Sequence, residues 1–515
     1  MYCNSVCYQH NPILNSKLTQ KILRTIIILL LILCPLESAY SYQSIPKEEF
    51  LKDCSILKLA LDKLHPGLYR YNDESYFLNA YNELINIPGD SISLENAFLK
   101  VSEFLAKIKC GHTYANPYNQ NENITEVILN GKNKLPFTFK LIGKEIVIVN
   151  DVSGENIGKG SKVFEINGNP VERIIDDLLK YSDGDGSNEG QRLNNLNVSG
   201  FGDYEFFDIY FPLLVPPVEG KYELEYNNLW SRAGSLGASV IAISRDERRS
   251  RLEREYGLKQ ESYDEQWKFE IFDKNSALLR IGTFVTYQMK LDWKKFLADS
   301  FGELNNQSIS NLIIDIRGNS GGTTGVAAEI VSYLIAEPID VLMEKRLVRY
   351  VKVPEVLDPY LSTWDNSFKD RTGKVEKYDD MYYSLKEETN NVNVINPKEN
   401  PYPGNIYLLV DAANSSATFI LAKTLKENGL ATLVGQTTGG NQKGINGGQL
   451  MFLDLPNTGI EVDIPLIGYF PSGNPPDAGL EPDVKISESV KDFANEIDAE
   501  MNYVLDQIRS SESGD

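Results

Sequence analysis

The sequence predicts an α/β protein: a C-terminal core of mainly parallel sheet with covering helices, preceded by an N-terminal helical region and a β-rich module. Three observations carry this. From residue 267 onward, strand-like runs (Ala277–Phe284, Asn311–Ile316, Asn405–Val410, Leu430–Val434) alternate with helical patterns (Thr324–Ile335, Ser416–Glu427). Between Ile45 and Lys109, the residues Leu51, Cys54, Leu57, Leu61 and Leu64 recur at the spacing of one buried helix face. Between these regions, Leu135–Leu141 and Glu145–Val149 read as strands and Asn167-Gly168 as a tight turn. A chain of 515 residues exceeds one hydrophobic core and divides into several domains.

The N-terminus has the layout of a secretory signal. Lys17, Lys21 and Arg24 precede an apolar run from Thr25 to Leu33, and Ala39-Tyr40-Ser41 offers small residues for cleavage. The run is short for a bilayer span, so the sequence predicts export to a periplasmic or extracellular location with no stable membrane span. Cys34 suggests a lipid anchor, but Leu33 stands where such signals want a small residue. Removal of the signal takes Cys3, Cys7 and Cys34 with it. Cys54 and Cys110 remain, either bridged in an oxidising compartment or as two separate buried thiols. The formal net charge of −21 argues against nucleic acid, which needs clustered Lys and Arg. No His/Cys cluster has zinc spacing, and neither a metal nor an organic cofactor is implied.

The helical region closes with a second helix over about Leu94 to Lys107 that stops at Gly111. In the β-rich region, Gly160-Ser161-Lys162-Val163-Phe164-Glu165-Ile166-Asn167-Gly168-Asn169-Pro170-Val171 and a helix through Leu179 resemble the second half of a PDZ domain. The glycine-rich carboxylate loop of that family is not recognisable; Lys134-Leu135-Pro136-Phe137 stands near its place. The acidic run from Asp183 to Gly190 fails an EF-hand count, with Asn188 where Gly is required and Asn194 where Glu is required. It reads as a solvated polar turn. Arg245–Gln266, dense in both charge signs, reads as an exposed helix or linker. Residues 342–402 form a long insertion. The predicted divisions are a signal peptide (1–41), the helical region (42–130), a PDZ-like module (131–240), a charged linker (241–266), the α/β core (267–505) and a polar tail (506–515).

Three segments of the core can carry chemistry. The strand Tyr407–Val410 runs into Asp411-Ala412-Ala413-Asn414-Ser415-Ser416-Ala417, which puts Ser416 at a helix start and at the end of the sheet, where open α/β folds place ligands. Helix-start amides favour negative charge nearby, although Ser is also a common N-cap. Asp315-Ile316-Arg317-Gly318-Asn319-Ser320-Gly321-Gly322 is a glycine turn able to aim amides at one point. Gly435-Gln436-Thr437-Thr438-Gly439-Gly440-Asn441 is a second such turn. Neither has the Lys-Ser or Lys-Thr of a phosphate loop.

Together, and with the closing Gly479-Leu480-Glu481-Pro482-Asp483, these segments resemble the C-terminal processing peptidase superfamily (tail-specific proteases and the tricorn core protease) through nearly all of residues 265–490. The resemblance implies a ClpP/crotonase-like core and a serine nucleophile at Ser416. It implies oxyanion donors at the Ala417 amide and in the Gly321-Gly322 turn. The tail-specific branch carries an activating lysine about 25 residues after the serine, and that position is Asn441 here; Lys443 lies two residues on. The tricorn-like branch uses a histidine before the PDZ-like module, where this sequence has Lys109-Cys110-Gly111-His112-Thr113-Tyr114. An imidazole is suited to take a serine proton near neutrality, so His112 is the candidate base. His65 in Leu64-His65-Pro66-Gly67 reads as the end of a helix. The same branch has a carboxylate before the last motif; Asp477 is the nearest match and Glu481 the second, either one holding a polar network around the nucleophile. Asn414-Ser415-Ser416 is also a formal glycosylation sequon, and a glycan there would block the pocket.

The expectation is an exported serine endopeptidase acting on peptide or unfolded protein through an acyl-enzyme, with oligomeric state open. Two alternatives stand beside it: a catalytically inactive peptide- or ligand-binding homologue, and a hydrolase that uses Lys443 as base.

Overall fold

The computed structural model describes residues 44–228, 234–340, 345–386 and 394–512. The signal-peptide reading of residues 1–41, with Cys3, Cys7 and Cys34, lies outside the described residues. Among them, no helix is long and apolar enough to cross a membrane.

The core is a six-stranded sheet ordered Val484–Lys485, Thr432–Gly435, Asn405–Val410, Asn311–Asp315, Ser276–Ile281, Trp267–Ile271. Every neighbouring pair is parallel except the last. Parallel strands are buried on both faces and read as continuous apolar runs, as Asn311–Asp315 and Asn405–Val410 do. Alternation then sorts their side chains. Leu312, Ile314, Leu408 and Val410 pack with Leu297, Val326 and Leu421 from three helices, Trp293–Asn306, Thr324–Ser332 and Ser416–Glu427. Ile313, Leu409 and Val434 face the other way, against Val504 and Ile508 of the helix Ala499–Glu512. Each such buried side chain contributes about 1.5–3 kcal/mol of transfer free energy.

The register sets Asp315 opposite Leu409 and Val410 opposite Gly435. Three successive strands therefore end level, and the loops after Asp315, Val410 and Gly435 leave the sheet side by side. This is the edge at which open α/β sheets bind ligands.

A second, antiparallel sheet is built on the hairpin Asn446–Asp454 and Glu461–Phe470. Much of the predicted insertion joins it, through Lys345–Val348, Leu361–Ser362, Val375–Lys377 and Tyr383–Leu385. The helix Lys47–Leu64 shares one apolar cluster with this hairpin, Phe50, Cys54, Leu57 and Leu61 packing with Leu453, Val462 and Ile464. Leu94–Ala106 forms as expected, whereas Glu74–Ile85 was not predicted; the Asp73 carboxylate caps it by accepting from the Tyr76 amide at 2.8 Å.

The middle region holds a third sheet, Phe137–Ile142, Glu145–Asp151, Lys162–Ile166, Lys221–Asn227 and Leu236–Ile241, all antiparallel, with the helix Val171–Leu178. Asn167 and Gly168 have φ of 49° and 73°, the left-handed pair that a tight turn needs.

Three expectations need correction, and one open alternative, that of the cysteines, is decided. The helix Arg245–Tyr256 is not a mere exposed linker: Arg248 is 1% exposed and its guanidinium meets Glu205 at 2.9 Å and Asp208. One arginine matched by two carboxylates turns a highly charged helix inward. The acidic run is not solvated either, since Asp183, Asp185 and Asn188 are buried. The proposed polar tail continues the helix Ala499–Glu512 and buries Ile508 against the sheet. Cys54 and Cys110 are separate, buried thiols, pushed up to about 12 and about 11 chiefly by burial.

Candidate active site

The three level loops are tied together by Asn414, which is wholly buried. Its Nδ2 donates to the carbonyls of Ile316 (2.6 Å) and Asn319 (3.1 Å), and its own carbonyl accepts from the amides of Gly439 (2.8 Å) and Gly440 (3.1 Å). A glycan cannot be carried on that Nδ2 in the folded protein, which answers the sequon.

Beyond it the chain turns sharply. Ser416 has φ of 50°, a left-handed conformation that costs a non-glycine residue about 1–2 kcal/mol. Ser416 does not act as a cap. The N-cap residue is Ser415, whose hydroxyl donates instead to the Ser320 carbonyl at 3.0 Å. The Ser416 hydroxyl makes no hydrogen bond among the described residues.

Gly321 lies against this turn. A methyl group on it would stand 3.0 Å from Ser416 Cβ and 3.1 Å from the Ala417 amide nitrogen, at a φ of 111°. Only glycine fits there. Its N–H donates to Asn319 Oδ1 at 2.9 Å and so is spent, while its carbonyl accepts from the Phe284 amide at 3.1 Å. In a planar trans peptide the Gly322 N–H then points away from Phe284. Neither the Gly322 nor the Ala417 amide makes a hydrogen bond among the described residues. Of the predicted pair in the glycine turn, Gly322 is thus the one with an available donor.

His112 follows the helix Leu94–Ala106 in a turn fixed at every residue. The Gly111 amide donates to Asp185 Oδ1 (3.0 Å), Cys110 Sγ accepts from Asn446 Nδ2 (3.3 Å), and Thr113 Oγ1 meets His65 Nε2 (2.9 Å). His65 itself ends the helix Lys47–Leu64 and is wholly buried; burial and the nearby Arg70 and Arg349 push its pKa down to about 3, so it stays neutral. The His112 ring rests on Gly447, where an added methyl would stand 3.6 Å from Nε2. Its Nδ1 is buried without a hydrogen-bond partner. His112 and Ser416 line one cavity of about 420 Å³, together with Asp185, Tyr114, Leu450 and Asp463. No hydrogen bond joins the two side chains directly.

The remaining candidates fall outside that cavity. Asp477 accepts from the Ser187 amide (2.8 Å), the Ser187 hydroxyl (2.9 Å) and Asn441 Nδ2 (2.8 Å), so it holds the acidic loop rather than the nucleophile. Glu481 is exposed and bonded to Thr437 and Lys485, away from the residues that line the cavity. Lys443 turns its ammonium toward the Tyr71 ring, 6.0 Å from the centroid. Asp185 was missed. It is 1% exposed, its Oδ2 has no partner, and its pKa is raised by burial against the opposing influence of His112, the Gly111 amide and Arg70. Its only signal in the sequence was an acidic run that resembles a solvated turn.

Residues 275–486 match the family model of peptidase family S41. The described fold is similar to that of mature CPAF complexed with lactacystin (TM-score 0.61, 15% identity, covering 90% of this chain and 97% of that chain). It is also similar to that of mature CPAF alone (TM-score 0.57, 14% identity, covering 90% and 96%). At these identities the likeness is one of fold. No curated protein sequence matches the chain. The family match falls on the three loops that meet at Ser416, and over residues 275–486 the chain matches a family of serine-type peptidases.

Proposed function

We propose that the protein is an exported serine endopeptidase in which His112 activates Ser416, as in the tricorn-like branch of the superfamily. The observation that carries this reading is the pairing of a strained, uncapped Ser416 with His112 across one cavity, while Lys443 is turned away toward Tyr71. His112 Nε2 takes the Ser416 proton as Oγ attacks a peptide carbonyl carbon. The oxyanion receives the Ala417 and Gly322 N–H groups, the proton passes to the leaving amine, and water then hydrolyses the ester by the same route. Asp477 and Asn441 act at one remove, by fixing the loop that faces the histidine. The module around Phe137–Ile241 is read as PDZ-like, presenting substrate chain to the cavity, and residues 1–41 as the export signal.

Hydrolysis of an unfolded protein such as casein tests the base. His112→Ala should lose at least 10³-fold in kcat, and Lys443→Ala should retain activity within a few-fold. The reverse pattern would transfer the role of base to Lys443.

A further inference from the structure

Two buried polar atoms facing the same cavity lack partners: His112 Nδ1 and Asp185 Oδ2. Buried polar groups are almost always hydrogen-bonded, and exceptions cluster where a partner is gained during function. The two belong to adjacent pieces of backbone. Asp185 Oδ1 is already fixed, accepting from the amide of Gly111, the residue before the histidine, at 3.0 Å. His112 is also the strongest influence favouring the ionised form of Asp185, and both residues line the same cavity.

The loop that bears Asp185 is clamped from several sides. Its amide donates to Gln191 Oε1 at 3.2 Å, its carbonyl accepts from Asn441 Nδ2 at 3.0 Å, and the Gly186 amide donates to the Lys109 carbonyl at 2.9 Å. Asn441 reaches Asp477 with the same nitrogen, at 2.8 Å. The residue at the position where the lysine-using branch keeps its base therefore holds a carboxylate beside a histidine instead. Of the other charged groups nearby, Arg70 favours the ionised form of Asp185, and Asp185 in turn opposes the ionisation of Asp183. The Arg70 guanidinium stacks on Phe470 at 4.3 Å and is buried with no hydrogen-bond partner of its own.

We propose that Asp185 is the positioning residue of His112: its Oδ2 accepts the Nδ1–H and so presents the unprotonated Nε2 to Ser416. The inference rests on His112 being the base. When Nε2 takes the Ser416 proton, the imidazolium that forms keeps its Nδ1–H and is balanced by the ionised Asp185. The proton leaves again from Nε2 to the departing amine, and Asp185 stays ionised throughout. The contacts of Asp477, all to Ser187 and Asn441, make it the support of this loop rather than the partner of the ring.

The test compares full-length wild type with Asp185→Asn, Asp185→Glu, His112→Ala and the double variant Asp185→Asn/Arg70→Gln. Readouts are kcat and KM separately, thermal melting, and 15N-histidine NMR of the wild type. The expected result is a fall in kcat of about 10²–10⁴-fold for Asp185→Asn with KM within about three-fold, and partial recovery in Asp185→Glu. The wild-type spectrum should show a hydrogen-bonded Nδ1–H that disappears in His112→Ala. A folded Asp185→Asn with kcat within three-fold of wild type overturns the proposal, as does recovery of kcat in the double variant, which would reduce Asp185 to a counter-charge for Arg70. If Asp185→Asn does not fold, the absence of that Nδ1–H signal overturns it. Full activity in His112→Ala defeats the reading of the base itself, whereas an inactive His112→Ala beside an active Asp185→Asn defeats only the positioning role.

Discussion

Asn414 Nδ2 donates to the Ile316 carbonyl at 2.6 Å, joining the loop that carries Ser416 to the loop that carries Gly321 and Gly322. The proposed nucleophile and its proposed oxyanion donors come from strands far apart in sequence, and this contact fixes the separation of their loops. Asn414→Ala leaves the Ile316 and Asn319 carbonyls without their donor and opens a polar hole, at about 2–4 kcal/mol in total. Urea unfolding of the wild type and the variant measures this, and mass analysis of the folded protein should find Asn414 free of glycan.

Asn441 tells the two activation schemes apart. It is wholly buried and bridges Asp185 to Asp477. Asn441→Lys inserts an ammonium into that site without aiming it at Ser416, so it should destabilise the fold by roughly 2–4 kcal/mol. The double variant His112→Ala/Asn441→Lys should remain inactive in a casein assay; restored hydrolysis would mean that position 441 can still address the serine.

The backbone at Ser416 stores strain that a thermal melt can read. At a φ of 50°, glycine is unstrained while serine and alanine are not. Both Ser416→Gly and Ser416→Ala should be inactive, but Ser416→Gly should be the more stable of the two by about 1 kcal/mol. Equal stabilities would show that the turn is not held in the left-handed region.

Asp463 gives the fold a pH dependence of known sign. Burial pushes its pKa up to about 7, with Asn116 and Asn119 donating to it. An unfolded aspartate titrates near ~3.9. Between these values the folded state holds the extra proton, so the contribution of Asp463 to stability falls as pH rises from about 4 to about 7 and is then level. Asp463→Asn mimics the protonated form. Its melting temperature should match the wild type near pH 4 and exceed it by pH 8, by an amount equivalent to a few kcal/mol at most.

The central sheet was legible because parallel strands buried on both faces leave continuous apolar runs, and Asn405–Val410 and Ser416–Glu427 have the predicted bounds. Ser416 and the glycine turns were legible because strand-to-helix turns there require particular residues. The acidic run was misread for a physical reason. Asp, Gly and Ser are the composition of a solvated turn, and only the tertiary partners, the Gly111 amide and the side chains of Asn195 and Asn441, make such a loop stable when buried. Arg248 misled in the same way, since its two carboxylates lie some forty residues earlier in the chain. Asp185 thus escaped the motif comparison, and Asp477, which the motifs favoured, supports the loop from behind.

The most direct measurement is peptide mapping after treatment of the purified protein with a fluorophosphonate. The account predicts one covalent adduct, on Ser416, lost in Ser416→Ala and strongly slowed in His112→Ala. An adduct on another residue, or equal labelling of wild type and Ser416→Ala, would contradict it.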